Sequence, residues 1–254
     1  MLMYNDYGEL ATAVYEITKP VGASLNGDID YYSERLEGIT GKILEAGVGS
    51  GRMLIPLLEE GFDMEGIDQS ETMLKACQNN LATRHLQATL YQQDLVTADL
   101  AENFYEGIIM PTATFCLIQD EDAAFKVLEN FYRALKPDGK LIVDLDLPFY
   151  PEMGETNTTS FEVSPTELIT FEKKIIAIDW LEQHIVSHLI YAKWEHGVLV
   201  KQELQRFLLR WYGLNEFRLM LEKIGFKEII LSSDYEFGTS PVDSNQTITF
   251  EATK

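Results

Sequence analysis

The sequence predicts an α/β fold: a mostly parallel sheet covered by helices on both faces, with an antiparallel β insert between the fifth strand and the last helix. Three observations predict it. From residue 42 to residue 145, short apolar runs alternate with segments of helical spacing. The first run opens into a loop with glycines at alternate positions, Gly47, Gly49 and Gly51, where a backbone can turn tightly and approach a ligand. Between about residues 148 and 211 the pattern changes to that of strands joined by a hairpin signal, Glu195-His196-Gly197.

Composition narrows the function. The 254 residues are enough for one α/β domain with a full core, and 46% are hydrophobic. The formal net charge of −21 opposes polyanionic partners, so no nucleic acid and no anionic membrane is expected, and small molecules are the better substrates. No apolar run reaches the roughly 20 residues of a membrane span, and MLMYNDYGEL lacks the pattern of a signal peptide. Two distant cysteines, Cys77 and Cys116, fit a reducing cytoplasm. The sequons at Asn157 and Asn245 are then chance matches.

Residues 1–41 read as a helical lead-in. Leu10, Ala11 and Val14 form an apolar stripe edged by Tyr4, Tyr7 and Tyr15, and 30–36 adds a further turn or two. Ile43 and Leu44 begin the first strand, which ends in Glu45. After the glycines, residues 52–60 carry Leu54, Leu57 and Leu58 at helical spacing and stop at Gly61. A second strand, residues 64–67, ends in Asp68. The helix start aims its N–H groups at the glycine loop, and an acid at the next strand end can take two ribose hydroxyls. This is the outline of a nucleoside site. A dinucleotide fingerprint would need a third glycine at position 52, which is Arg52.

The pattern E-x-G-x-G-x-G from Glu45 to Gly51, with Asp68 after it, resembles motif I of the class I S-adenosylmethionine-dependent methyltransferases of the small-molecule type. That resemblance implies a Rossmann-like, seven-stranded, mostly parallel sheet, with S-adenosylmethionine as cofactor. It places Glu45, Gly47, Gly49, Gly51 and Asp68 around the cofactor and sets Gln69 and Met73 beside the adenine. Met73, with Leu74, Cys77 and Leu81, equally reads as the buried stripe of a helix capped by Ser70. By the same resemblance Asp94, after a third strand at 88–92, accepts from the adenine amino group while the Leu95 N–H faces the ring. A fourth strand at 104–110 leads to Pro111 and Thr112, where the family keeps the loop that lines the transfer site. Related sugar N-methyltransferases carry a histidine base shortly after; Leu117 stands at that place here.

Asp120-Glu121-Asp122 puts acids at the positive end of a helix striped by Ala124, Leu128, Phe131 and Leu135. LKPDGKLIVDL then resembles the family's turn into strand five, at 141–145. Within the insert, 154–160 reads as a polar loop and 166–178, 182–195 and 198–211 as strands, with Trp180, Trp194, Phe207 and Trp211 as its aromatics. In the family such inserts roof the active site or form a homodimer. Its histidines His184 and His188 have helical metal spacing, but in a strand they stand roughly 13 Å apart. No metal is expected. A last helix carries Phe217, Leu221 and Ile224 to Gly225, and strands at 228–232 and 247–252 complete the sheet.

The whole chain, 1–254, thus reads as a single methyltransferase domain acting on a small molecule by in-line methyl transfer, in which alignment matters more than a base. Candidate groups for a base are Tyr7, Tyr15, Asp146 and Tyr212, and by the resemblance Tyr15, Tyr7, Arg210 and Tyr212 hold places that face the substrate. The rival classes are a non-catalytic cofactor-binding or interaction protein, a nucleotide-dependent oxidoreductase, disfavoured by Arg52, and, more distantly, an aminopropyl transferase.

Overall fold

The computed structural model describes residues 7–148, 153–154 and 156–254. Tyr4 and most of the breaker at 148–151 lie outside them. In chain order the elements begin with α1 (Glu9–Thr18), α2 (Asp28–Leu36), β1 (Lys42–Ala46), α3 (Leu54–Glu59), β2 (Asp63–Asp68) and α4 (Glu71–Thr83). Next come β3 (Thr89–Gln92), β4 (Tyr105–Met110), α5 (Glu121–Ala134) and β5 (Leu135–Leu145). After them follow β6 (Thr156–Ser164), β7 (Glu167–Asp179), β8 (His184–Glu195) and β9 (Val198–Arg210), then α6 (Leu214–Ile224), β10 (Lys227–Ser233) and β11 (Ile248–Thr253).

The chain divides into two units, residues 21–149 with 211–254, and residues 1–20 with 150–210. The larger unit holds a seven-stranded sheet of order β10-β11-β5-β4-β1-β2-β3. Only β11 runs against its neighbours, β10 and β5; the other described pairings are parallel. Parallel strands need both faces covered, and Ile43, Leu44, Ile108, Ile109, Ile142 and Val143 are accordingly sealed from solvent. The order reverses at β1 and β4, so the carboxyl ends of those strands open the crevice where such sheets bind ligands.

The caps follow the sequence. Ser70 accepts from the Met73 N–H at 3.3 Å and Asp120 from the Ala123 N–H at 2.9 Å. Gly225, with φ of 121°, ends α6. Three expectations are corrected. The helix after the glycine loop starts at Leu54 and leaves Arg52 in the loop. The fifth strand reaches back to Leu135, with Asp138 at φ of 64° in the stretch where its pairing to β4 shifts. Residues 156–160, expected as loop, belong to β6, the first of four strands.

The smaller unit is the antiparallel sheet β6-β7-β8-β9 with α1 packed on it. Leu10, Ala11 and Val14 of α1 meet Ile169, Leu189 and Tyr191. The lead-in therefore divides between the units: α1 falls with this sheet, α2 with the larger one.

Candidate active site

The glycine loop leaves β1 with Gly47, Gly49 and Gly51 all in the left-handed region, at φ of 75°, 53° and 84°. Gly47 and Val48 donate their N–H groups to the Ile67 carbonyl at 2.8 and 3.0 Å, which pins the loop to β2. A Cβ on Gly47 would collide with the Thr114 methyl, and one on Gly51 would lie 2.8 Å from Cys77 Sγ. A Cβ on Gly49 would meet nothing within 4 Å. Two of the glycines are thus required by packing, while Gly49 borders open space.

Asp68 stands half-buried at the end of β2. Its Oδ2 accepts from the Gly49 N–H at 2.9 Å and its Oδ1 from the Ser70 N–H at 2.8 Å. Desolvation raises its pKa, and these backbone donors hold it down. The carboxylate, with about four acceptor sites, takes these and a Gln69 backbone donor and keeps capacity for a ribose hydroxyl. Glu45 is buried deeper. Its Oε2 has no partner among the described residues, and burial pushes its carboxyl up to about 8 against the pull of Arg52.

Arg52 proves central, although the sequence marks it only as a missing glycine. Its guanidinium donates to the Ala23 carbonyl at 2.8 Å, to Asp28 Oδ2 at 2.6 Å and to Thr112 Oγ1 at 2.8 Å. Asp28, with no exposed surface, also accepts from the Leu25 and Ile29 N–H groups at 2.8 and 2.9 Å. One buried ion pair therefore joins α2, the glycine loop and the turn after β4. That turn is unusual: Thr112 and Ala113 both have positive φ, 58° and 53°. The Thr112 N–H donates to Asp144 Oδ2 at 2.8 Å. Asp144 is fully buried, is raised to about 6 by desolvation, and further accepts from the Tyr235 hydroxyl at 2.9 Å and from Thr249 Oγ1 at 2.8 Å.

The other expected residues fall in different settings. Pro111 is buried. Met73 is 2% exposed, a core position of α4, and Gln69 is exposed. Asp94 is exposed and its Oδ1 accepts from the Val96 N–H at 2.8 Å; the Leu95 carbonyl accepts from Asn130 at 3.0 Å. Tyr212 has no exposed surface, donates its hydroxyl to the Ile118 carbonyl at 2.6 Å and packs edge-on against Phe115. Asp146 is exposed. Tyr7, Tyr15 and Arg210 belong to the smaller unit, where the two tyrosine rings meet edge to face at 6.2 Å.

Residues 43–139, from β1 into β5, match a family model described as a methyltransferase domain. Over that stretch the chain is similar to methyltransferase domains. A Bacillus subtilis relative named as a methyltransferase, YqeM, is 23% identical over 221 residues, which cover 84% of each chain. The glycine/sarcosine N-methyltransferase of Halorhodospira halochloris is 35% identical over 125 residues, 48% of this chain and 46% of that one. Among solved structures, the sugar N-methyltransferase KedS8 of Streptoalloteichus superposes with a TM-score of 0.77 at 17% identity, over 100% of this chain and 96% of the other. At that identity the likeness speaks for the fold.

The site fits a sulfonium methyl donor in three respects. Gly49 borders the open side of the loop, and Asp68 keeps acceptor capacity for the ribose. Around Glu45 the pull of one guanidinium, Arg52, is opposed by two carboxylates, Asp68 and Asp28, which suits a cationic donor. The buried Glu45 Oε2, without a partner among the described residues, is a polar atom that a ligand could pair. Among the described residues no helix is long and apolar enough to cross a membrane.

Proposed function

We propose that the chain is a methyltransferase for a small molecule with a nucleophilic nitrogen, carrying out in-line transfer from S-adenosylmethionine. The observation that carries this reading is Asp68 held by Gly49 and Ser70 at the rim of the open loop. The net charge of −21 disfavours polyanionic acceptors. The names of the glycine/sarcosine and sugar N-methyltransferases support nitrogen as the accepting atom.

When bound, the donor supplies a methyl group already activated by the sulfonium charge. The chain's own residues then have to hold, align and exclude water. Asp68 and the loop backbone would hold the nucleoside, and Glu45 the cationic end. The Pro111–Thr112 turn would wall the acceptor side. An amine that arrives unprotonated brings its own lone pair and needs no base.

A thermal-shift comparison of S-adenosylmethionine, S-adenosylhomocysteine and NAD is the first test. A ligand at about 100 times its Kd adds roughly 2.7 kcal/mol, a rise of several degrees. The adenosyl sulfur compounds alone should stabilise, and Asp68→Ala should abolish their effect while the protein stays folded. Formation of S-adenosylhomocysteine with a panel of small amines then tests transfer. Stabilisation by NAD alone would overturn the reading, and near-wild-type donor affinity in Asp68→Ala would remove Asp68 from it.

A further inference from the structure

Thr112 and Ala113 follow one another in the left-handed region. For a β-branched residue this is a genuine outlier, and such backbone persists only where its surroundings over-determine it. Here they do. The Thr112 N–H is taken by Asp144 Oδ2 and its hydroxyl oxygen by Arg52 Nη2, both at 2.8 Å. Both holding groups are buried ions: the Arg52 side chain is 3% exposed and Asp144 has no exposed surface. Asp144 is itself held from two further directions, by Tyr235 and Thr249. On the opposite side Thr114 fills the space that a Cβ on Gly47 would need, so the turn abuts the donor loop directly.

We propose that Asp144 is a positioning residue for methyl transfer: with Arg52 it clamps the Thr112–Ala113 turn in its strained form and so sets the wall against which the acceptor is aligned. The inference rests on the function proposed above. A carboxylate is an expensive way to hold a fold. Burial raises Asp144 to about 6, so keeping it ionised at neutral pH works against stability. A neutral acceptor would serve packing better. The titratable groups facing it are Tyr31 and Tyr32 of α2, Tyr235 after β10 and Cys116 after β4, and all four are pushed upward. They stay neutral near pH 6, which leaves the carboxyl as the group in this cluster that titrates there.

Asp144→Asn in the full chain keeps the volume but turns an NH₂ group toward donors. Hydrogen exchange at the Thr112 amide, measured without substrates, should quicken by about tenfold or more. The kcat of amine methylation should fall by about 10- to 100-fold, the scale of a small misplacement, while the donor Kd changes less than about threefold. Wild-type kcat should decline as pH falls through about 6, and the variant should lack that limb. If Asp144→Asn does not fold, Tyr235→Phe carries the test: losing one donor to the same carboxylate should move the acid limb to higher pH. Unchanged Thr112 exchange, an unchanged kcat or an unmoved acid limb would each overturn the clamp. Absence of turnover in the wild type would overturn the proposed function instead, and the exchange measurement would still decide the clamp.

Discussion

Asp28 and Arg52 form the ion pair on which the neighbourhood of the site depends. With side chains 0% and 3% exposed and oxygen and nitrogen 2.6 Å apart, neither ion has water to fall back on. Removing one partner of such a pair leaves an uncompensated buried charge, at a cost of about 3–5 kcal/mol. Asp28→Ala should therefore lower the urea-unfolding free energy by about that amount, whereas Asp68→Ala, half-buried and within reach of water, should cost far less and lose the donor. Equal destabilisation by the two would mean that the pair is not sealed as described. The place of Asp68 at the end of β2 was legible in the sequence because it closes a short apolar run after the glycines. Asp28 and Asp144 were not. Their roles come from pairings with Arg52 and Thr112, 24 and 32 residues away, and each reads locally as one acid among 41.

At the scale of the element, the glycine loop separates packing from binding. Gly51→Ala would drive a methyl to 2.8 Å from Cys77 Sγ at a φ of 84°. Backbone strain and overpacking each cost on the order of 1–3 kcal/mol, so that variant should unfold at markedly lower urea. Gly49→Ala meets no neighbour within 4 Å and should bear only the left-handed strain of about 1–2 kcal/mol, yet its methyl would occupy the ligand's side of the loop. It should remain folded and lose donor affinity in a calorimetric titration. The reverse pattern would place the donor elsewhere. Most elements were legible because one face of each is buried, and burial writes a period into the sequence. β6 shows where that signal fails. Eight of its nine residues are exposed and the other, Phe161, is half-buried, so its first five residues, 156–160, show no apolar period and offer only Thr, Asn and Ser, which read as loop. The setting of Tyr212 was illegible for the opposite reason, since a sequence cannot show that a hydroxyl meets the Ile118 carbonyl inside a core.

Across the whole molecule, the buried carboxyls and the surface charge act in the same direction. Folded Glu45, at about 8, keeps a proton over a pH range in which the unfolded chain, with a glutamate near the ordinary 4.3, has released it. Asp144, at about 6, does the same over a narrower range. Wherever the folded state binds more protons, stability falls as pH rises, so the loss runs from about pH 4 to about pH 8. The net charge of −21 adds self-repulsion that grows as surface acids ionise. Urea unfolding should therefore show greater stability at pH 5.5 than at pH 8, by on the order of a few kcal/mol at low salt. Sodium chloride at about 0.5 M screens the exposed charges and hardly touches the buried ones. The salt-resistant part of the slope should shrink in Glu45→Gln, which cannot titrate, and more so when Asp144→Asn is added. A wild type equally stable at pH 5.5 and pH 8 in high salt would mean that neither carboxyl is raised. The pH limb assigned to Asp144 in catalysis would then need another owner.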